Sequence, residues 1–108
     1  MPFHIAIGLK ALSIEAVSEK LQQITGFSPE PRESLYLGEY DLFLMPEEVK
    51  VKYNFVVAEE EWDYPKHKEY SVLIVVEDTE RPDFFRSLAT NIGFENMILA
   101  QSDFEHET

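Results

Sequence analysis

Cysteine is absent from this chain of 108 residues. Disulfides, thiol chemistry and cysteine-ligated zinc are excluded with it, and a reducing, cytoplasmic setting is the expectation. Glycine is scarce, with four residues standing singly at positions 8, 26, 38 and 93. No phosphate-cradling loop can be assembled from them, and there is no Gly-x-Ser-x-Gly elbow, His-Glu-x-x-His pair or calcium loop. No apolar run approaches the roughly 18–20 residues that cross a bilayer. The longest, Val72-Leu73-Ile74-Val75-Val76, has the length of a buried strand. The opening Met1-Pro2-Phe3-His4-Ile5 has neither a basic segment nor a long apolar one, so no signal peptide is expected. Positive charge is also short: nine Lys and Arg stand against 21 Asp and Glu, a formal net charge of −12.

That deficit is uneven. Residues 1–54 hold eight acids and five bases, a net −3; residues 55–108 hold thirteen acids and four bases, a net −9. Such a chain repels nucleic acid and anionic membranes and attracts cationic partners, chiefly by speeding encounter. The 44% apolar and 13% aromatic content argues for a folded core despite the charge. The length fits one domain spanning residues 1–108, with a frayed tail at 105–108.

Phe3 to Leu9 is apolar enough for a first strand. Ser13 is a good N-cap for a helix whose Ile14, Val17, Leu21 and Ile24 recur at helical spacing, with Leu12 and Val17 placed as a hydrophobic staple. Gly26-Phe27 suits a left-handed helix end, and Ser28-Pro29-Glu30-Pro31 a stiff turn. Leu35 to Met45 reads as strand, interrupted near Gly38. Val49, Val51, Tyr53, Phe55 and Val57 alternate with Lys50, Lys52 and Asn54, the pattern of a half-exposed antiparallel strand. Residues 59–69 form a polar connection, and Tyr70 to Glu77 is the most buried-looking strand. A second helix starts near Thr79 to Pro82, buries Phe84 or Phe85 with Leu88 and Ile92, and ends at Gly93-Phe94. Met97 to Phe104 is the last strand. The order β-α-β-β-β-α-β predicts an α+β domain: an antiparallel or mixed sheet of about five strands with both helices on one face, a variant of the ferredoxin-like plait.

Candidate chemistry is thin. His4, His67 and His106 are dispersed; His67 lies between Lys66 and Lys68, which disfavours a metal, and His106 lies in the tail. No catalytic residue, metal ligand or cofactor is expected. Carboxylates are too numerous for pairing to be informative, because catalytic pairs need environments that separate their pKa values. The segment Glu59-Glu60-Glu61-Trp62-Asp63-Tyr64 stands out. Aromatic anchors inside a glutamate run match a protein-binding hot spot, with Glu59, Glu60, Glu61 and Asp63 speeding association and Trp62 with Tyr64 slowing dissociation. Alternatively, Trp62 folds back on the sheet as a lid. The acids at Glu77, Asp78, Glu80 and Asp83 are candidates to extend the same face.

In size, charge and lack of motifs the chain resembles bacterial immunity proteins, small cytosolic inhibitors that plug a toxin's active site. That resemblance implies a non-enzymatic module whose carboxylates stand in for the phosphates of a basic nuclease's substrate. Phe3-His4-Ile5-Ala6-Ile7, the following helix and Gly26-Phe27 are similar to the opening of the glyoxalase and bleomycin-resistance superfamily. That likeness implies a metal-binding role for His4 or a dimeric small-molecule site with His4, Tyr36, Tyr40 and Tyr53 converging on the sheet. The chain departs from that family in having one strand, not a full second module, after its second helix.

Overall fold

The computed structural model describes residues 3–103; the tail 105–108, with His106, lies outside them. The period-two runs are strands and the two helical stripes are helices. In order they are β1 (Phe3–Leu9), α1 (Ile14–Thr25), β2 (Glu30–Ser34), β3 (Gly38–Leu44), β4 (Glu48–Tyr53), β5 (Phe55–Val56), β6 (Glu61–Trp62), β7 (Val72–Thr79), α2 (Pro82–Asn91) and β8 (Asn96–Asp103). One sheet of six strands runs β2-β3-β4-β7-β1-β8, and β5 with β6 forms a separate two-stranded ribbon. Every pairing is antiparallel.

Strand alternation sends Ile5, Ile7, Leu9, Phe43, Val49, Val51, Val72, Ile74 and Val76 to one face of the sheet. There they meet Ile14, Val17 and Leu21 of α1 and Phe85, Leu88, Ala89 and Ile92 of α2 in a single core cluster. Each of these side chains larger than alanine contributes about 1.5–3 kcal/mol through loss of water contact. Both helices therefore cover the same face. Ser13 accepts a hydrogen bond from the Ala16 amide at 3.2 Å, the Tyr53 hydroxyl accepts one from the Ile14 amide at 3.3 Å, and Gly26 closes α1 at φ 80°. In α2, Pro82 takes the first turn, where its missing N–H costs nothing, and the Arg81 amide donates to Thr79 Oγ1 at 2.9 Å.

Several expectations change. The sheet has six strands, not about five, because Glu30-Pro31-Arg32-Glu33-Ser34 is an edge strand. Its residues are solvent-facing and one is proline, which an edge tolerates and a sequence pattern reads as a turn. The buried stripe of α1 is completed by Ser18, not Ile24: Ser18 Oγ donates to Asp41 Oδ2 at 2.6 Å under the helix, and Ile24 is exposed. Leu12 is fully exposed, so no staple forms with Val17. The alternating run 49–57 breaks at Asn54, and Val57 leaves the sheet in a 3-10 turn, Val57–Glu59.

The sheet face away from the helices is not bare. Leu73 and Ala6 there are fully buried, and Lys52, expected on an exposed edge of the alternation, is only 2% exposed. A Cβ on Gly8 would meet Leu99 Cδ1 at 2.7 Å and Tyr70 Cβ at 2.8 Å, so only glycine lets these side chains lie flat on β1. The segment between β4 and β7 arches over this face at the end of the sheet where β4 finishes.

Candidate functional site

Asn54 anchors that segment. It is fully buried. Its Oδ1 accepts from the Tyr64 amide at 2.8 Å, and its Nδ2 donates to the carbonyls of His67 at 3.1 Å and Tyr70 at 3.0 Å. Its backbone is equally committed: the amide donates to Ser71 O at 2.9 Å and the carbonyl accepts from the Asp63 amide at 2.8 Å. One side chain thus supplies the backbone partners that an irregular segment would otherwise leave unsatisfied.

The residues singled out in the sequence divide into two groups on this frame. Glu59, Glu60 and Glu61 are exposed. Glu60 holds a left-handed backbone (φ 54°), and its amide closes the 3-10 turn on Val57 O at 3.2 Å. Trp62, Asp63 and Tyr64 are tied into the segment. Trp62 packs edge-on against Phe55 across the ribbon, with ring centroids 5.1 Å apart, and Lys68 Nζ lies 5.4 Å from the centre of its ring. Asp63 pairs with the buried Lys52, whose Nζ also donates to Tyr53 O at 3.0 Å. A buried ammonium needs such a counter-charge, so Asp63 is structural as well as acidic. Tyr64 is half-buried, and burial, reinforced by the Asp63 charge, pushes its phenol pKa above the ordinary value.

An apolar groove of about 710 Å³ runs between the start of this segment, at Phe55, Val57 and Ala58, and the β2–β3 turn. Leu35 and Val57, which line it, are 76% and 75% exposed, and Tyr36 in the same turn is 78% exposed. The sequence reading missed this surface. Residues 35–37 looked like strand, and Val57 looked like a continuation of β4. The signal was the Leu35-Tyr36-Leu37-Gly38 run, too apolar for a turn unless something else covers it.

The other acidic cluster does not extend this face. β4 pairs with β7 so that Val49 lies opposite Val76 and Tyr53 opposite Val72. Glu77, Asp78 and Glu80 therefore sit at the far end of the sheet, about 15–20 Å away at 3.4 Å per residue. A polar cleft of about 730 Å³ there is lined by Glu47, Glu48, Lys50, Glu77, Asp78 and Arg81. Arg81 donates to both oxygens of Glu47, at 2.6 and 3.0 Å, and Thr79 Oγ1 donates to Glu47 Oε2 at 2.6 Å. Arg81, with help from Thr79 and against the effect of burial, holds the Glu47 carboxyl at about 2.

The four residues of the alternative histidine–tyrosine reading are dispersed within one chain. His4 in β1 and Tyr40 in β3 are three strands apart, Tyr36 lies in the β2–β3 turn, and Tyr53 points under α1 to its amide. Among the described residues no group of three or more His, Asp or Glu side chains is placed to hold a metal ion. No helix among them is long and apolar enough to cross a membrane. No protein-family model matches the chain, and no curated protein matches it in sequence.

Proposed function

We propose that this chain is a non-enzymatic acidic binding module that inhibits or sequesters a basic protein partner, working in the cytoplasm in the manner of a bacterial immunity protein that neutralises a toxin such as a nuclease. The observation that carries the reading is the presentation of Glu59, Glu60 and Glu61 on a segment fixed from beneath by Asn54 and by the Lys52–Asp63 pair. Free carboxylates on an ordered support meet a cationic surface without first giving up loop entropy, which is what preorganisation contributes to affinity. The roles expected of the six residues separate accordingly. Glu59, Glu60 and Glu61 steer, Trp62 and Tyr64 stiffen the platform and offer their exposed edges, and Asp63 holds the platform to the sheet.

The same reading takes the scaffold as a ferredoxin-like plait enlarged by a hairpin. The order β8-β1-β7-β4, with α1 between β1 and β4 and α2 between β7 and β8, supports this, the β2–β3 hairpin extending the sheet at one side.

The test is capture on immobilised protein from lysate of the source cells at about 50 mM and about 500 mM salt, where screening removes mainly electrostatic contacts. The expected result is one basic protein retained in stoichiometric amount at low salt, weakened at high salt, and losing its own activity when mixed with this chain. Glu59→Gln, Glu60→Gln and Glu61→Gln together then slow association and flatten its salt dependence. Asp63 is left intact in that variant, because stranding the Lys52 ammonium costs about 3–5 kcal/mol and would confuse unfolding with lost binding. An association rate that ignores the triple substitution removes the loop from the site.

A further inference from the structure

We infer that the groove between the β2–β3 turn and the Val57–Glu59 turn seats an amphipathic segment of the basic partner, with apolar side chains in its floor and Lys or Arg along its edge; the inference rests on the binding reading above and adds where and how the partner is held. Two independent observations meet here. The first is apolar: Leu35, Leu37, Phe55 and Val57 wall the groove, and two of them are about three-quarters exposed. Apolar side chains converging on one open concavity, unlike scattered surface leucines, mark an interaction site. The second is electrostatic. Glu33 and Glu39, which also line the groove, lie directly opposite each other in the β2–β3 ladder. Like charges in that relation destabilise a sheet. Neither makes an ion pair among the described residues, and no Lys or Arg lines the groove.

A local rule broken without compensation inside the fold points to compensation from outside it. A cation laid between Glu33 and Glu39 relieves their repulsion, and the apolar wall beneath selects a cation carried next to an aliphatic or aromatic neighbour. Val57 and Ala58 line the groove, and Glu59 follows them in the same 3-10 turn. The carboxylates of Glu33 and Glu39 and the apolar seat thus share one groove, an arrangement in which charge sets the on-rate and burial sets the residence time. An anionic membrane or a nucleic acid does not fit an acidic rim.

The probe is a fluorescein-labelled heptapeptide of alternating lysine and leucine, with a lysine–serine and a glutamate–leucine heptapeptide as controls, read by anisotropy and by amide shifts of the labelled protein. The lysine–leucine peptide is expected to bind and to shift Leu35, Leu37 and Val57. Leu35→Ser with Val57→Ser is expected to weaken it about tenfold, a change of about 1.4 kcal/mol. Glu33→Gln with Glu39→Gln is expected to weaken it at least about threefold while raising the melting temperature, a readout that loss of fold cannot mimic. All four positions are exposed, and thermal melts verify that the variants fold. Equal binding of the lysine–serine peptide overturns the apolar seat. Equal binding of the glutamate–leucine peptide overturns the cationic edge. Binding weakened only by the Glu59, Glu60 and Glu61 substitutions overturns the groove while leaving the acidic-module reading in place; no binding of any basic peptide, with no basic protein captured, overturns both. A dimer of the protein alone that is lost in the Leu35→Ser, Val57→Ser variant overturns the assignment by giving the groove to a second copy.

Discussion

Charge in this protein is divided between residues that hold the fold and residues that face solvent, and the two cannot be told apart by type. Glu47 belongs to the first group. It fastens the β3–β4 turn to the start of α2 through Arg81 and Thr79, and Arg81 in turn lies 4.4 Å from the centre of the Phe84 ring and donates to Met45 O at 2.5 Å. Its carboxyl is held at about 2 against an ordinary 4.5, so its contribution is complete above the ordinary value and is lost as pH falls through about 2. Glu47→Gln is expected to cost about 1–2 kcal/mol at neutral pH, the charge-assisted bonds being discounted because Arg81 is partly exposed. The difference from the parent protein should narrow between about pH 4.5 and 2 in chemical unfolding curves; a constant difference across that interval rules out the ion pair as its source. Asp63 is of the same kind, committed to a lysine that the strand pattern placed in solvent. Neither role was legible from the sequence, because each depends on a partner 11 or 34 residues away that only the folded chain brings within reach.

At the scale of elements, local chemistry set what tertiary packing then used. The N-cap at Ser13, the left-handed glycine at 26, the proline at 82 and the apolar runs of β1 and β7 are short-range signals, and these elements stand where their residues predict, except that β7 lies two residues later than the expected Tyr70 to Glu77. The misreadings fall where an element is stabilised from outside. β2 has almost no apolar residue of its own and exists because β3 offers it a ladder. The segment from 54 to 71 has no periodicity and is ordered by Asn54. Asn54→Ala leaves the Tyr64 amide and two carbonyls short of partners and is expected to cost at least about 2 kcal/mol. Hydrogen exchange should show its effect as faster exchange across residues 55–70, with β1 and β7 protected as before. Uniform loss of protection over the whole sheet would show instead that the segment and the sheet unfold as one unit.

The whole molecule sets twelve net negative charges on a globule with a radius of gyration of 13.0 Å. Self-repulsion on that scale destabilises the compact state, so raising sodium chloride from about 20 mM to about 500 mM at neutral pH should raise the melting temperature by about 3–6 °C. A fall on adding salt would mean that the ion pairs contribute more than the repulsion takes away. Composition alone determined the sign of the net charge, and the periods of two and 3.6 along the chain determined the strands and helices of an α+β domain, because these follow from residue type and local order. Tertiary structure decided that the acids form two separate groups at opposite ends of the sheet, that Lys52 is buried, and that Leu35 and Val57 wall a groove rimmed by opposed glutamates. Those depend on strand register and on which face a connecting segment crosses, and register is fixed by contacts between residues far apart in the chain, which no local pattern encodes.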